Sequence, residues 1–394
     1  MTNNKKTILI GTLPPPLDGQ SVAFKVLADH YKTDESSCEV INISGRRIRN
    51  RGSAFSKLFR YYDYLFVLVK LVLALMNGYS VLYLQIAQSK QGFLRDKWMI
   101  KLALLFKSKI IVHLHGGNYD GFYKSLHADS KREVISRLKN VDTIVILSEH
   151  LRHMFDFEPS LNTKLKVIAN GAGQPVKQIP AKRPFAENIN ILYLSNLVET
   201  KGYRKVLDAV DVMVNQYKLP VKAKFCGRFY VDNDKSKFST VEEAKLDFFN
   251  TINAYHLNDC VEYKGVVEGV EKQNLLNEAH FFVLPTQYIN EGQPISIIEA
   301  MRAGCVVLAS DYRAIPEMIK DGQTGYLLKT GHHQEIADII KNCYQQPDHF
   351  RQISMNAFIA YNEKYTEIIH CKNLASVIDE VASSGKLSNR ISTL

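Results

Sequence analysis

The stretch VLPTQYINEGQPISIIEAMRAG, residues 283–304, decides how the rest of the chain is read. An apolar run ends at Pro285, a polar loop follows, and a helical pattern starts near Pro294. Proline suits a first helical position, because the N–H it lacks would have no partner there. Glu291 falls in the loop at the strand's carboxyl end, and Glu299 about one and a half turns into the helix, so the two carboxylates stand at different depths of one site. The helix start adds N–H groups and the positive end of the dipole, a natural seat for phosphate. The ordinary structural alternative is that Glu291 merely favours the helix N-terminus and Glu299 is a solvated helix residue.

Outward from this stretch, short β-branched runs alternate with amphipathic ones. In the first half they are Thr7–Thr12, Glu39–Ser44, Val81–Ile86, Lys109–Leu114, Thr143–Leu147 and Leu165–Ala169. In the second half they are Ile189–Ser195, Val221–Cys226, Val261–Lys264, Phe281–Pro285, Val306–Ser310 and Gly325–Leu328. Strands alternating with helical patterns predict parallel sheets covered by helices on both faces. The run GQPVKQIPAKRPFAENIN has three prolines, mixed charge and no period, so it reads as an interdomain linker. The expected fold class is therefore α/β, with two Rossmann-like doubly wound domains facing across a cleft. Residues 1–178 form one domain and 186–365 the other. Ligands of such sheets bind at the carboxyl ends of the strands.

Charge is uneven. Residues 1–180 hold 26 Lys and Arg against 14 Asp and Glu, a net of +12, whereas 181–394 hold 24 against 26, a net of −2. An anionic partner of the first half, nucleic acid or a membrane surface, follows. The run GRRIRNRGSAFSKLFR contains Arg46, Arg47, Arg49, Arg51, Lys57 and Arg60 and precedes the most apolar segment, Tyr61 to Gly78. Asp63 and Lys70 interrupt that segment, leaving it well short of the roughly 20 apolar residues of a spanning helix. It reads either as a core helix or as a helix facing a membrane. Basic residues followed by an apolar face fit an interfacial anchor, and no helix-turn-helix, RNP or zinc-finger pattern supports nucleic acid. The six cysteines form no CxxC pair, which points to a reducing compartment. The expectation is a cytoplasmic protein, peripheral on the inner face of the plasma membrane, with Arg46, Arg47, Arg49 and Arg51 as its membrane or acceptor contacts.

EGQPISIIEAM resembles the E-x7-E segment of family 4 retaining glycosyltransferases. Further segments of that family follow in order: PPPLDGQS at 14–21, HLHGG at 113–117, LSNLVETKG at 194–202, YKGVV at 263–267 and SDYRAIPEMIKDGQTGYLL at 310–328. The resemblance runs from residue 7 to about 330. It implies a GT-B-type fold, a nucleotide-sugar donor (UDP- or GDP-linked) on the second domain, a glycan or glycolipid acceptor on the first, and a last helix, about 366–390, crossing back to the first domain.

The resemblance also implies roles. The Gly19 loop reaches the donor phosphates, with Ser21 as a helix cap. His115 faces the donor sugar, although strand alternation alone does not separate it from His113. Lys201 binds the pyrophosphate, where an ammonium stabilises the departing charge. Glu291 contacts the sugar, with Gly292, Gln293, Pro294 and Ile295 at the phosphate seat; Glu299 contacts the ribose and Val267 the base. Asn196 stands where the family commonly has arginine, and Arg228 is the candidate to compensate. No metal and no cofactor is expected: VDND at 231–234 mimics a DxD motif in a polar loop, and GHHQE at 331–335 reads as a helix start. The rivals are a nucleotide-sugar epimerase and a non-catalytic nucleotide-sugar-binding scaffold on the same fold.

Overall fold

The β-branched runs become twelve strands in the computed structural model, which describes residues 6–15, 18–33, 38–44, 54–178, 185, 187–232 and 236–384. Each strand lies within two residues of its expected bounds. β1 (Thr7–Gly11), β2 (Cys38–Asn42), β3 (Val81–Ile86), β4 (Lys109–Leu114), β5 (Thr143–Ile146) and β6 (Leu165–Val167) form one parallel sheet in the order β2-β1-β3-β4-β5-β6. β7 (Ile189–Leu194), β8 (Val221–Cys226), β9 (Val261–Gly265), β10 (Phe281–Leu284), β11 (Val306–Ser310) and β12 (Tyr326–Leu328) form a second, in the order β12-β11-β10-β7-β8-β9. The strand order reverses between β1 and β3 in the first sheet and between β7 and β10 in the second. Ligand crevices of open parallel sheets open at such points.

The chain divides into two compact units, one of residues 1–171 with 367–394 and the other of 172–366. The first thus ends at Gly171, earlier than the expected 178. The reason is local: Ala172 N–H bonds Tyr365 O at 3.0 Å, Val176 N–H bonds Asn362 Oδ1 at 3.0 Å, and the Tyr361 hydroxyl donates to Ala172 O and Gln174 O. Phe185, also in the expected linker, stacks on Phe281 and lies against His280, Tyr344 and Phe350. Residues 179–184 and 186 lie outside the described residues.

Helix Glu367–Ser383 belongs to the first unit. Its Leu374, Val377, Ile378, Val381 and Ala382 close a core with Leu9, Val81, Tyr83, Ile111 and Val145 of the sheet, beside Phe24 and Leu27 of helix Gly19–Thr33. A parallel sheet needs both faces covered, and this last helix covers part of one. Ser21 is not the cap of helix Gly19–Thr33. Asp18 is: its carboxylate accepts the Ser21 N–H at 2.8 Å, and Ser21 Oγ accepts the Asp18 N–H at 3.0 Å. This reciprocal pair satisfies two donors at once, as a capping box does.

The apolar segment forms helix Ala54–Met76, starting seven residues before Tyr61. Arg46, Arg47, Arg49 and Arg51 lie outside the described residues. Among the described residues no helix is long and apolar enough to cross a membrane. None of the six cysteines is joined in a disulfide.

Because Leu374 is buried against the sheet, Leu374→Ala should lower the unfolding free energy by about 2–5 kcal/mol. Urea denaturation followed by far-UV circular dichroism checks it; an unchanged midpoint would mean that the helix does not close this core.

Candidate active site

In the second unit, the loops after β7 and β10 meet at the strand-order reversal. The Tyr193 hydroxyl, buried in β7, donates to Asn196 O at 3.2 Å and Lys201 O at 3.5 Å, pinning the first loop. Gln287 N–H of the second loop bonds Thr200 O at 2.6 Å. Gly202 makes this approach possible: its φ is +83°, and a Cβ there would lie 2.5 Å from Pro285 O. The result is an ion pair between Lys201 Nζ and Glu291 Oε2 at 3.1 Å, with both side chains largely shielded from water. Two neighbours hold it. Buried Thr286 donates its hydroxyl to Glu291 Oε2 at 3.1 Å and accepts the Tyr288 N–H at 3.2 Å, while the Tyr288 ring lies 5.1 Å from Lys201 Nζ.

Gly292, Gln293, Pro294 and Ile295 are buried directly after Glu291. The helix runs Ile295–Arg302, so Pro294 is its N-cap rather than its first residue; ψ of 117° at Pro294 lies outside the helical range. Glu299 is not a free helix carboxylate: its Oε1 pairs with Lys272 Nζ at 2.6 Å, from helix Gly269–Glu278. Val267 is buried in the loop two residues before that helix, beside exposed Val266. Asn196 and Arg228 are neighbours, since Arg228 N–H reaches Asn196 Oδ1 at 3.4 Å and Leu197 N–H bonds Arg228 O at 2.9 Å. Both side chains are exposed. Asp232 is described and Asp234 is not; Glu335 of GHHQE accepts the N–H groups of Lys329, Thr330 and Gly331 at the start of helix His333–Gln345.

In the first unit, Gln85 at the end of β3 organises the reversal. Its Oε1 accepts the Thr12 N–H at 3.1 Å, its Nε2 donates to Gln20 O at 3.3 Å, and the same Nε2 lies 3.0 Å from His115 Nε2. Gln85 therefore ties the loop before Gly19 to His115. With the amide nitrogen as donor, His115 Nε2 is the acceptor of this contact. The structure separates the two histidines that alternation could not. His113 is fully buried within β4, with Nδ1 2.5 Å from the Tyr83 hydroxyl, whereas half-buried His115 stands just past the strand end with its ring centroid 4.0 Å from that of His113. His370 of the last helix lies 6.5 Å from His113 and bonds Ala169 O at 2.7 Å.

Gln85, Thr286, Tyr288 and Lys272 escaped the sequence reading. Gln85 and Thr286 carried a signal, a polar residue closing or directly following an apolar strand. Lys272 carried none, because its partner lies on a different helix.

With this geometry in view, a family model described as "Glycosyl transferases group 1" matches residues 176–363. That match covers most of the second unit, residues 172–366. The chain is 28% identical over 130 residues to the amylovoran biosynthesis glycosyltransferase AmsK of Erwinia amylovora, 32% of either chain. It is 23% identical over 280 residues to sucrose synthase 2 of Zea mays, 65% of this chain and 32% of that one. The matched stretch thus spans about a third of the length of each of these relatives. Among solved structures, Anabaena Alr3699/HepE in complex with UDP superposes with a TM-score of 0.68 at 17% identity, over 95% of this chain and 100% of that one. Sucrose-phosphate synthase from Thermosynechococcus elongatus gives 0.70 at 16%, over 96% and 100%. Two Rossmann-like parallel-sheet domains in one α/β chain match the GT-B glycosyltransferase fold.

Burial of the imidazoles, nearly complete for His113 and His370 and partial for His115, gives a pH dependence. Burial pushes His113 well below its ordinary value, His115 down to about 3 and His370 down to about 4. Unfolded, each titrates near 6.5. Below that pH the unfolded chain takes up protons that the folded one refuses, so stability is full above about 6.5 and falls as the pH drops towards the folded values. The urea midpoint should fall between pH 7 and pH 5, with a shallower fall in His115→Asn. A level profile across that window would contradict neutral burial of these rings.

Proposed function

We propose that this protein is a retaining glycosyltransferase, moving a sugar from a UDP- or GDP-linked donor to a hydroxyl of a lipid-linked or membrane-associated glycan in polysaccharide biosynthesis. The observation that carries the reading is the shielded Lys201–Glu291 pair at the strand-order reversal of the second sheet, directly before the buried turn into helix Ile295–Arg302. Further support for the donor class comes from HepE, whose structures include complexes with UDP and UDP-glucose.

In the reaction the bond from the anomeric carbon to the diphosphate oxygen breaks and a bond to the acceptor oxygen forms on the same face; the acceptor proton leaves with the diphosphate. The protein's contribution is positional and electrostatic. It holds the two reactants together without water and meets the charge growing on the leaving group. Lys201 is the ammonium for that task. In the resting site Glu291 neutralises it; a bound diphosphate takes over as its counter-ion and leaves Glu291 to the sugar hydroxyls. Glu299, steadied by Lys272, takes the ribose hydroxyls, and Val267 flanks the base. Arg228 beside Asn196 supplies the cation that Asn196 lacks. His115, held neutral, accepts or donates hydrogen bonds to the sugar without adding charge.

Incubation with a panel of nucleotide sugars and membrane glycolipid should give product that depends on the acceptor. Lys201→Ala should lower turnover by about 10²-fold at saturating donor, as loss of one transition-state charge does. Glu299→Gln should act mainly on KM and Glu291→Gln mainly on kcat. Near-normal turnover of Lys201→Ala would remove it from the mechanism, and product formed without acceptor would favour an epimerase.

The reading makes Lys201, rather than a divalent ion, the counter-charge of the leaving group. Activity should therefore persist in excess EDTA; complete loss restored by Mg2+ or Mn2+ would assign that task to a metal.

A further inference from the structure

Helix Ala54–Met76 is apolar on two opposite faces. Val67, Leu71, Ala74 and Leu75 are buried. On the other side Tyr62, Leu65, Phe66, Val69, Leu73 and Met76 are 46–69% exposed. At 3.6 residues per turn these six fall on one stripe, and no charged residue interrupts it. A surface helix ordinarily turns a polar face to water, and a contiguous apolar patch marks an interaction site. Helix Lys90–Leu105 packs beside it, with the Tyr64 hydroxyl on Arg95 O at 3.3 Å, and adds exposed Leu94 and Trp98.

The charge around these stripes identifies what covers them. Residues 62–107 hold six Lys and Arg against two acidic residues, a net of +4, with Lys97 paired to Glu133 at 3.0 Å. One of the two acids, Asp96, is buried and bonded to Arg95 and to the Ala87 N–H. Lysines stand at the aromatic positions themselves: Lys70 Nζ is 5.1 Å from the Phe66 ring centroid and Lys101 Nζ is 5.4 Å from that of Trp98. Apolar stripes rimmed by cations match anionic headgroups above an acyl layer. Indole favours the membrane interface, and lysine stems reach from an apolar face to the charged layer. A second copy of the chain would instead bring one cationic rim against another.

We propose that the face formed by helices Ala54–Met76 and Lys90–Leu105 docks in the headgroup region of an anionic bilayer, with Phe66, Leu73 and Trp98 as apolar anchors. The proposal extends the reading of a membrane-associated acceptor and rests on it for its purpose, but its test is independent.

The chain has one tryptophan, Trp98, so its intrinsic emission reports this face directly. The full-length protein is titrated with phosphatidylglycerol/phosphatidylcholine vesicles and with phosphatidylcholine vesicles alone, and UDP binding is measured calorimetrically on the same preparation. With anionic vesicles the Trp98 emission should shift to the blue and be quenched by brominated lipid, and the protein should float. Both effects should weaken as salt shortens the Debye length from about 10 Å at 0.1 M to about 3 Å at 1 M. The double variant Phe66→Ser, Leu73→Ser should keep its circular dichroism and UDP binding while its bound fraction falls about tenfold or more. Unchanged Trp98 emission and no flotation with anionic vesicles would overturn the proposal. So would a lipid-free blue shift that grows with protein concentration alongside a dimer in sedimentation, which assigns the face to a second copy. Vesicle docking without UDP binding would overturn the donor reading and support the docking.

Discussion

The parallel pairing of β7 with β10, in which Phe281 lies opposite Ile191 and Phe282 opposite Leu192, is the interaction on which the candidate site depends. Parallel strands require crossovers, so every strand delivers its outgoing loop to the same edge of the sheet. From β7 the chain moves outward to β8; it returns on the other side to β10. The two outgoing loops therefore part company at this one place, and a crevice is left between them. Lys201 and Glu291 come from these two loops. Their contact requires the close approach of backbone at Gly202 and Pro285, which a side chain at Gly202 would block.

Pairing the two groups has an energetic logic. A lone ammonium or carboxylate shielded from water is costly, and each partner relieves the other's desolvation. Thr286 and Tyr288 complete the arrangement without adding charge. A site built in this way is stable when empty, yet it presents a cation whose counter-ion can be exchanged for a diphosphate. The first unit reaches its own strand-order reversal by a different route. There the polar groups are neutral, an amide and imidazoles, gathered around Gln85 and held by hydrogen bonds. That neutrality follows from burial beneath helix Glu367–Ser383, which arrives from the far end of the chain to close the core.

Much of the fold was legible along the chain, and for a physical reason. Strands of a parallel sheet are buried on both faces, so they appear as short, mainly apolar runs such as Ile189–Leu194 and Val306–Ser310. The E-x7-E stretch was legible because strand end, loop and helix start are consecutive in sequence. Boundaries that depend on docking were less so: residues 172–176 look like linker by composition, but their backbone groups find partners around Tyr361 and Asn362.

The sequence by itself determined the strands, the helical patterns between them, the cationic first half and the positions of Lys201, Glu291 and Glu299. Only the tertiary structure decided which groups meet. The Lys201–Glu291 and Lys272–Glu299 pairs join separate segments, and local periodicity holds no record of a partner on another element. The same limit applies to helix Ala54–Met76. Its sequence is apolar nearly all round, so no periodicity tells the covered face from the open one. Packing makes that choice: Val67, Leu71 and Leu75 are buried while Phe66, Leu73 and Met76 face outward, because a helix can press only one side against its neighbours.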